Sequence, residues 1–203
     1  MITSTANAQV KELIRLMKKS RAREDAGVFI VEGPRMAGEL TDDPSWQGRI
    51  ERVYLSESYA AKHTGEADDL RRNGRVEILA DNVFAHVSDT KTPQGILVVV
   101  KRKEYDLEDI IGGQQGNSLV IVLDNLQDPG NLGTIFRTAE AAGATGILLS
   151  RDCVDIYNPK VIRSTMGAVF RLPFLYVDDL PGAVSELKET GIRVFAAHLE
   201  GKN

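Results

Sequence analysis

LVIVLDNLQDPGNLGTIFRTAEAAGATGILLS, residues Leu119 to Ser150, reads as a buried strand, a punctuated loop, a long helix and a second buried strand. Leu119 to Leu123 is a continuous apolar run, the pattern of a parallel strand covered on both faces. Asp128-Pro129-Gly130 marks a turn, because proline presets φ and glycine tolerates the positive φ that can follow. Asn131 is then expected to cap a helix running through Ile135, Ala139 and Ala142 to a stop at Gly143. Open α/β sheets bind ligands at the loops that follow their strands, and Asn131 and Arg137 are the polar groups near this one.

Working outward, the same alternation continues on both sides. Strands are expected at 28–31, 52–55, 76–79 and 95–101, with helices near 34–40, 57–63 and 82–87 between them. A linker follows at 102–117 and closes in the flexible run Gly112 to Asn117. The second half reads strand 119–123, helix 131–142, strand 146–149, helix 159–165, strand 173–177, helix 179–189 and strand 192–196. Asn158-Pro159 is a good helix start, a cap followed by proline at the first helical position.

Composition narrows the function classes. A 42% hydrophobic and 27% charged chain of 203 residues suits one or two globular domains. A single Cys153 excludes an internal disulfide within the chain, and His63, His86 and His198 have no metal-ligand spacing, so no metal is expected. The polar N-terminus and short apolar runs point to neither a signal peptide nor a membrane span, and a cytoplasmic location is expected. The net charge of −4 hides an asymmetry: residues 11–23 carry +5 and the remainder −9. Lys11, Arg15, Lys18, Lys19, Arg21 and Arg23 are therefore candidate RNA-binding residues. The plainer reading is an amphipathic helix with Val10, Leu13, Ile14 and Met17 inside and the cations in water.

Three groups of residues carry a family resemblance. Asn125 to Gly133 (NLQDPGNLG), with Arg137-Thr138-Ala139 and Gly143-Ala144, resembles the first signature of the SpoU/TrmH RNA methyltransferases of the SPOUT superfamily. Asn158 to Ala168 (NPKVIRSTMGA) is similar to the helix that follows in that family. Phe29 to Gly33 and Ser88 to Gly95 resemble the substrate-binding domain that precedes the catalytic one. The implied fold class is α/β. A small α/β substrate-binding domain at 1–101 would precede an open parallel-sheet, SPOUT-like methyltransferase domain at 118–203, whose knot-forming C-terminal tail is absent from this chain.

The resemblance implies transfer of a methyl group from S-adenosylmethionine to an RNA ribose 2′-hydroxyl, expected in ribosomal RNA, by a protein that is a homodimer at full length. Arg137 matches the family's catalytic arginine, with Asn131 as its companion at the helix start. A guanidinium, with a pKa above about 12, does not readily act as a base, so gripping the phosphate beside the target ribose suits Arg137 better. The competing assignments are an Arg137–Glu140 pair at i+3 and a cap at Asn131. Glu32 and Arg35 either contact RNA or cap the next helix; Arg163, Ser164 and Thr165 either line the site or belong to a helix packed through Val161, Met166 and Val169. The family's two donor-pocket signatures, around Asn-Glu-Gly and Ser-Leu-Asn, do not occur here. The chain is thus expected to be a fragment, or to have a tail not seen, with its cofactor-binding residues beyond Asn203 and no activity alone. Two alternatives stand beside the enzyme: a non-catalytic RNA-binding protein of the same fold, and a dinucleotide-binding domain, disfavoured because no G-x-G-x-x-G follows a strand.

Overall fold

The first ninety residues alternate apolar strands with amphipathic helices, and each strand sends successive side chains to opposite faces. In the computed structural model, which describes residues 1–65, 67, 70, 75–112 and 118–197, this gives a four-stranded mixed sheet in the order β1-β4-β2-β3. Its strands are β1 (Val28–Glu32), β2 (Ile50–Ser56), β3 (Val76–Leu79) and β4 (Ile96–Lys101). Strand β4 lies between β1 and β2, antiparallel to both, and β3 adds to β2 in parallel.

Helices α1 (Ala8–Lys18), α2 (Ser20–Ala26) and α6 (Asp81–Val87) cover one face, where Val10, Leu13 and Phe84 pack on Val28, Ile30, Leu97 and Val99. Helices α3 (Pro34–Asp42) and α4 (Pro44–Gln47) cover the other, packing on Phe29, Val31, Leu55 and Val98. Helix α5 (Glu57–Lys62) follows β2. With both faces covered, β1 and β4 are continuous hydrophobic runs rather than alternating ones.

The second half forms a parallel sheet β5-β6-β7 from Val120–Leu123, Gly146–Ser150 and Phe174–Val177. Helix α8 (Pro129–Ala141) joins β5 to β6. Helices α9 (Pro159–Thr165) and α10 (Ala168–Arg171) join β6 to β7, and α11 (Leu180–Glu189) follows. The expected linker 102–117 contains helix α7 (Leu107–Ile111), closed by a reciprocal Asp106–Asp109 capping box. Ile110 is fully buried, and a Cβ on Gly146 of β6 would stand 2.8 Å from its Cα, so α7 is docked on the sheet. Of the expected flexible run, 113–117 lie outside the described residues, as does His198. The strand expected at 192–196 is not formed: residues 192–197 pair with no strand, and Phe195 is 83% exposed. An apolar run becomes a strand only where an edge receives it.

Both halves share one core. Phe29 of β1 packs on Tyr157 at a tilt, with centroids 4.5 Å apart, and meets Trp46 of α4 edge-on at 6.1 Å. Trp46 in turn contacts Phe170 and donates its indole N–H to the Phe170 carbonyl at 2.7 Å, while Tyr157 and Phe136 both pack on Phe174. These rings supply large buried area together with edge-to-face geometry, each such pair adding roughly 1 kcal/mol beyond its area.

Arg23 reinforces this seam. Its side chain is only 2% exposed; Nε donates to Asp155 at 3.1 Å and Nη1 to the Leu16 carbonyl at 2.7 Å. Ser20 Oγ donates to the same carboxylate at 2.8 Å. Arg23 therefore does not meet RNA phosphates: the pattern that placed it with its exposed neighbours missed that α2 turns it inward against the loop after β6. Removing one partner of such a pair strands a buried charge. Arg23→Ala is expected to lower the unfolding free energy by about 3 kcal/mol, measured by urea denaturation.

Candidate nucleic-acid interface and active face

The loop after β5 is held by the loop after β6. Asn125, at φ +49°, donates its backbone N–H to Ser150 Oγ at 2.9 Å, and Val154 donates to the Leu126 carbonyl at 2.8 Å. Gln127 Nε2 reaches Asn125 Oδ1 at 2.9 Å and also the Asp152 carbonyl. The second loop is pinned from beneath by Tyr176, whose hydroxyl donates to the Val154 carbonyl at 2.6 Å and accepts from the Ile156 N–H at 2.9 Å. Burial pushes the Tyr176 and Tyr157 phenols up, and that of Tyr105 to about 12.

Helix α8 starts earlier than expected. Asp128, not Asn131, is the cap: Oδ1 accepts from the Asn131 N–H at 2.7 Å, with Pro129 in the first turn. Asn131 therefore sits inside the helix with its side chain exposed and unused for capping. Leu132, Gly133, Phe136 and Ala139 form the buried face, while Asn131, Thr134, Arg137 and Thr138 face solvent. The buried face allows no side chain at Gly133. A Cβ there would lie 1.8 Å from Ser164 Oγ and 2.7 Å from the Ser164 carbonyl carbon of α9. Ser164 Oγ donates to the Pro129 carbonyl at 3.2 Å, closing the contact.

Arg137 is exposed, and among the described residues it makes no ion pair or hydrogen bond. The pairing with Glu140 does not form because Glu140 is held by Arg171 of α10, with Nη2 at 3.2 Å from Oε2, and Arg171 also reaches Glu39 of α3. The guanidinium is thus left available.

Of the other candidates, Lys11, Arg15, Lys18, Lys19 and Arg21 are exposed along α1 and the start of α2, with only i,i+3 and i,i+4 contacts from Arg15 to Glu12 at 3.5 Å and from Arg21 to Asp25 at 4.0 Å. Such pairs are weak and leave the cations free for phosphates. Arg35 is exposed at the start of α3. Glu32 is not a surface contact: its side chain is 4% exposed, and Oε1 accepts from Thr90 Oγ1 at 2.9 Å and from Ser88 Oγ. The end of β1 carries it beneath the 88–95 loop, where a carboxylate persists only with donors around it. Met166 also departs from expectation: it is 40% exposed at φ +52° and does not pack the helix. Sequence reasoning missed Ser150, Asp155 and Tyr176, whose partners described above lie 20 to 135 residues away along the chain.

Among the described residues no group of three His, Cys, Asp or Glu side chains is placed to hold a metal, and no helix is long and apolar enough to cross a membrane.

With this geometry in hand, comparison with known proteins defines the class. Residues 118–203 match the SpoU rRNA methylase family, and residues 7–98 match the MRM3-like substrate binding domain. The 23S rRNA (guanosine(2553)-2′-O)-methyltransferase RlmP of Bacillus subtilis is 31% identical over 98% of this chain and 73% of that protein. The mitochondrial rRNA methyltransferase 3 of Xenopus laevis is 31% identical over 93% of this chain, which spans 44% of its length. The SpoU methyltransferase AviRb of Streptomyces viridochromogenes, solved with its cofactor AdoMet, superposes with a TM-score of 0.77 at 26% identity, covering 91% of this chain and 68% of that one. The chain belongs to the SpoU rRNA methylase family.

Two outcomes follow for the architecture of this face. Gly133→Ala overpacks the α8–α9 contact and is expected to cost about 2 kcal/mol or more in urea unfolding. The buried neutral tyrosines stabilise the fold only while protonated. Their contribution is complete below the unfolded value of about 10 and is lost as pH rises through the higher folded values. Melting temperature should therefore be flat between about pH 7 and 9 and fall above about pH 10, more steeply than in Tyr176→Phe.

Proposed function

We propose that this chain supplies the RNA-facing part of an S-adenosylmethionine-dependent methyltransferase that modifies a ribose 2′-hydroxyl of ribosomal RNA. The observation that carries the reading is the free Arg137 guanidinium on the solvent face of a rigidly packed α8, within a chain of the SpoU family.

In this reading Arg137 grips the phosphate beside the target ribose through two parallel N–H donors and fixes the 2′-hydroxyl in line for attack. The guanidinium acts here as a hydrogen-bond donor and not as a base. Asn131, exposed in the first turn of α8, is assigned to the substrate backbone. Lys11, Arg15, Lys18, Lys19, Arg21 and Arg35 hold phosphates away from the reacting ribose, and the −9 balance of the rest of the chain restricts RNA to that side. Residues 1–101 are assigned to RNA binding, 102–117 to the connection and 118–203 to the methyltransferase part.

S-adenosylmethionine supplies the electrophilic methyl group when bound. Two cavities among the described residues, about 690 and 240 Å³, lie between α1 and the first sheet and between β7 and α11, away from Arg137. Assembly as a homodimer and a cytoplasmic location complete the proposal.

Two measurements test it. Arg137→Ala in the complete protein should reduce methyl transfer to rRNA by about 100-fold or more, with stability changed by less than about 0.5 kcal/mol, as for an exposed side chain. Near-normal turnover would remove Arg137 from the mechanism. Neutralising Lys18, Lys19 and Arg21 together should weaken RNA binding whatever the sequence and reduce the log–log salt slope by about 2.

A further inference from the structure

Among the described residues, Glu32 Oε2, Arg163 Nη1 and Arg102 Nε are buried atoms without a hydrogen-bond partner, and the first two lie where the two halves meet. These two face each other at 3.8 Å. Buried charged atoms without partners are rare, and their persistence calls for a physical reason. Glu32 belongs to β1 and Arg163 to α9, so the pair spans the RNA-binding half and the half that carries Arg137.

Each member has a second attachment. Glu32 Oε1 receives the hydroxyls of Ser88 and Thr90, which begin the loop that presents the exposed Lys91 and Thr92. Arg163 Nη2 donates to Asp89 of the same loop at 3.1 Å. The residue after Arg163 is Ser164, which fills the space left by Gly133 of α8. A continuous chain of contacts therefore runs from the 88–90 loop through Glu32 and Arg163 to Ser164, Gly133 and the helix bearing Arg137. Apart from the 3.8 Å ion pair, each link is a hydrogen bond, a covalent neighbour or a close-packed contact, and packed contacts of this kind pass a displacement on.

We infer that Glu32 and Arg163 are positioning residues that hold the helix bearing Arg137 in register with the RNA-binding half through the 88–90 loop. They touch neither the reacting ribose nor the donor. Their carboxylate and guanidinium hold α9, and through Ser164 hold α8, in register with the loop. The inference rests on the methyltransferase reading for its kinetic consequence, but not for its mechanical one. Loss of the carboxylate charge at 32 or a single-point cation at 163 would loosen the register without removing the fold's hydrophobic seam.

The test pairs Glu32→Gln with Arg163→Lys, each compared with the unchanged protein by amide hydrogen exchange and by steady-state methyl transfer to an rRNA transcript. Coupling predicts that amides of residues 131–137 exchange at least about fivefold faster in both variants, while those of β1 and β4 do not. It also predicts that kcat falls about tenfold while KM for RNA stays within about twofold, since a misplaced group costs turnover rather than affinity. Unchanged exchange in α8 in both variants overturns the coupling. So does a loss confined to KM, which would make the two residues part of the RNA contact instead. If the unchanged protein transfers no methyl group, the enzymatic reading fails, and the exchange comparison still decides the coupling. If Glu32→Gln does not fold, Arg163→Lys carries the test with the same outcomes.

Discussion

The close approach of α8 to α9 at Gly133 is the constraint from which the site follows. With a hydrogen at that position, Ser164 can press against the helix backbone and bond to the Pro129 carbonyl. This buries Leu132, Phe136 and Ala139 and leaves Asn131, Thr134 and Arg137 outward. Helix rotation is thus set by packing, and the arginine is displayed by a rigid support rather than by a loop. The same helix is anchored further along by Glu140, which Arg171 holds and so keeps away from Arg137. One packing contact and one diverted carboxylate together create an unpaired cation on an otherwise acidic chain.

The two halves behave as one body because their joint is both apolar and ionic. The ring seam from Phe29 through Tyr157 to Phe174 supplies the buried area, and Arg23 with Asp155 fixes its alignment. A buried ion pair is poor evidence of net stability, since desolvation offsets much of the attraction. Its value here is geometric: it ties the loop after β6 to the start of α2, next to the exposed Lys18, Lys19 and Arg21. In the proposed reading, RNA lying on that basic surface is thereby referenced to the loops that position α8.

Local features were legible where local physics decides. The apolar runs of β1, β4 and β6, the Asn158-Pro159 helix start and the turn at Asp128-Pro129-Gly130 all follow from patterns within a few residues. The cap of α8 was misplaced by three residues, because Asp128 before proline satisfies the first turn better than Asn131 inside it. What failed was the sorting of charges by depth. Arg23 sits two residues from the exposed Arg21, and Glu32 three from the exposed Arg35; only the long-range partners Asp155, Ser88 and Thr90 show that both are interior. Residues 192–196 have the composition of a strand but lack a neighbouring edge among the described residues, which no local pattern reports. The candidate arginine was legible through its family signature, whereas its freedom from Glu140 depended on Arg171, 31 residues from that carboxylate along the chain.

If Arg137 grips the phosphate beside the target ribose, the solvent face of α8 meets the RNA at the nucleotide to be modified. A photoreactive side chain at position 134, one turn before Arg137 on the same face, allows its crosslinks on rRNA to be mapped at nucleotide resolution. Crosslinks confined to the methylated nucleotide and its immediate neighbours are expected. Crosslinks scattered over the RNA, or centred on a site that is not methylated, would contradict this role for Arg137.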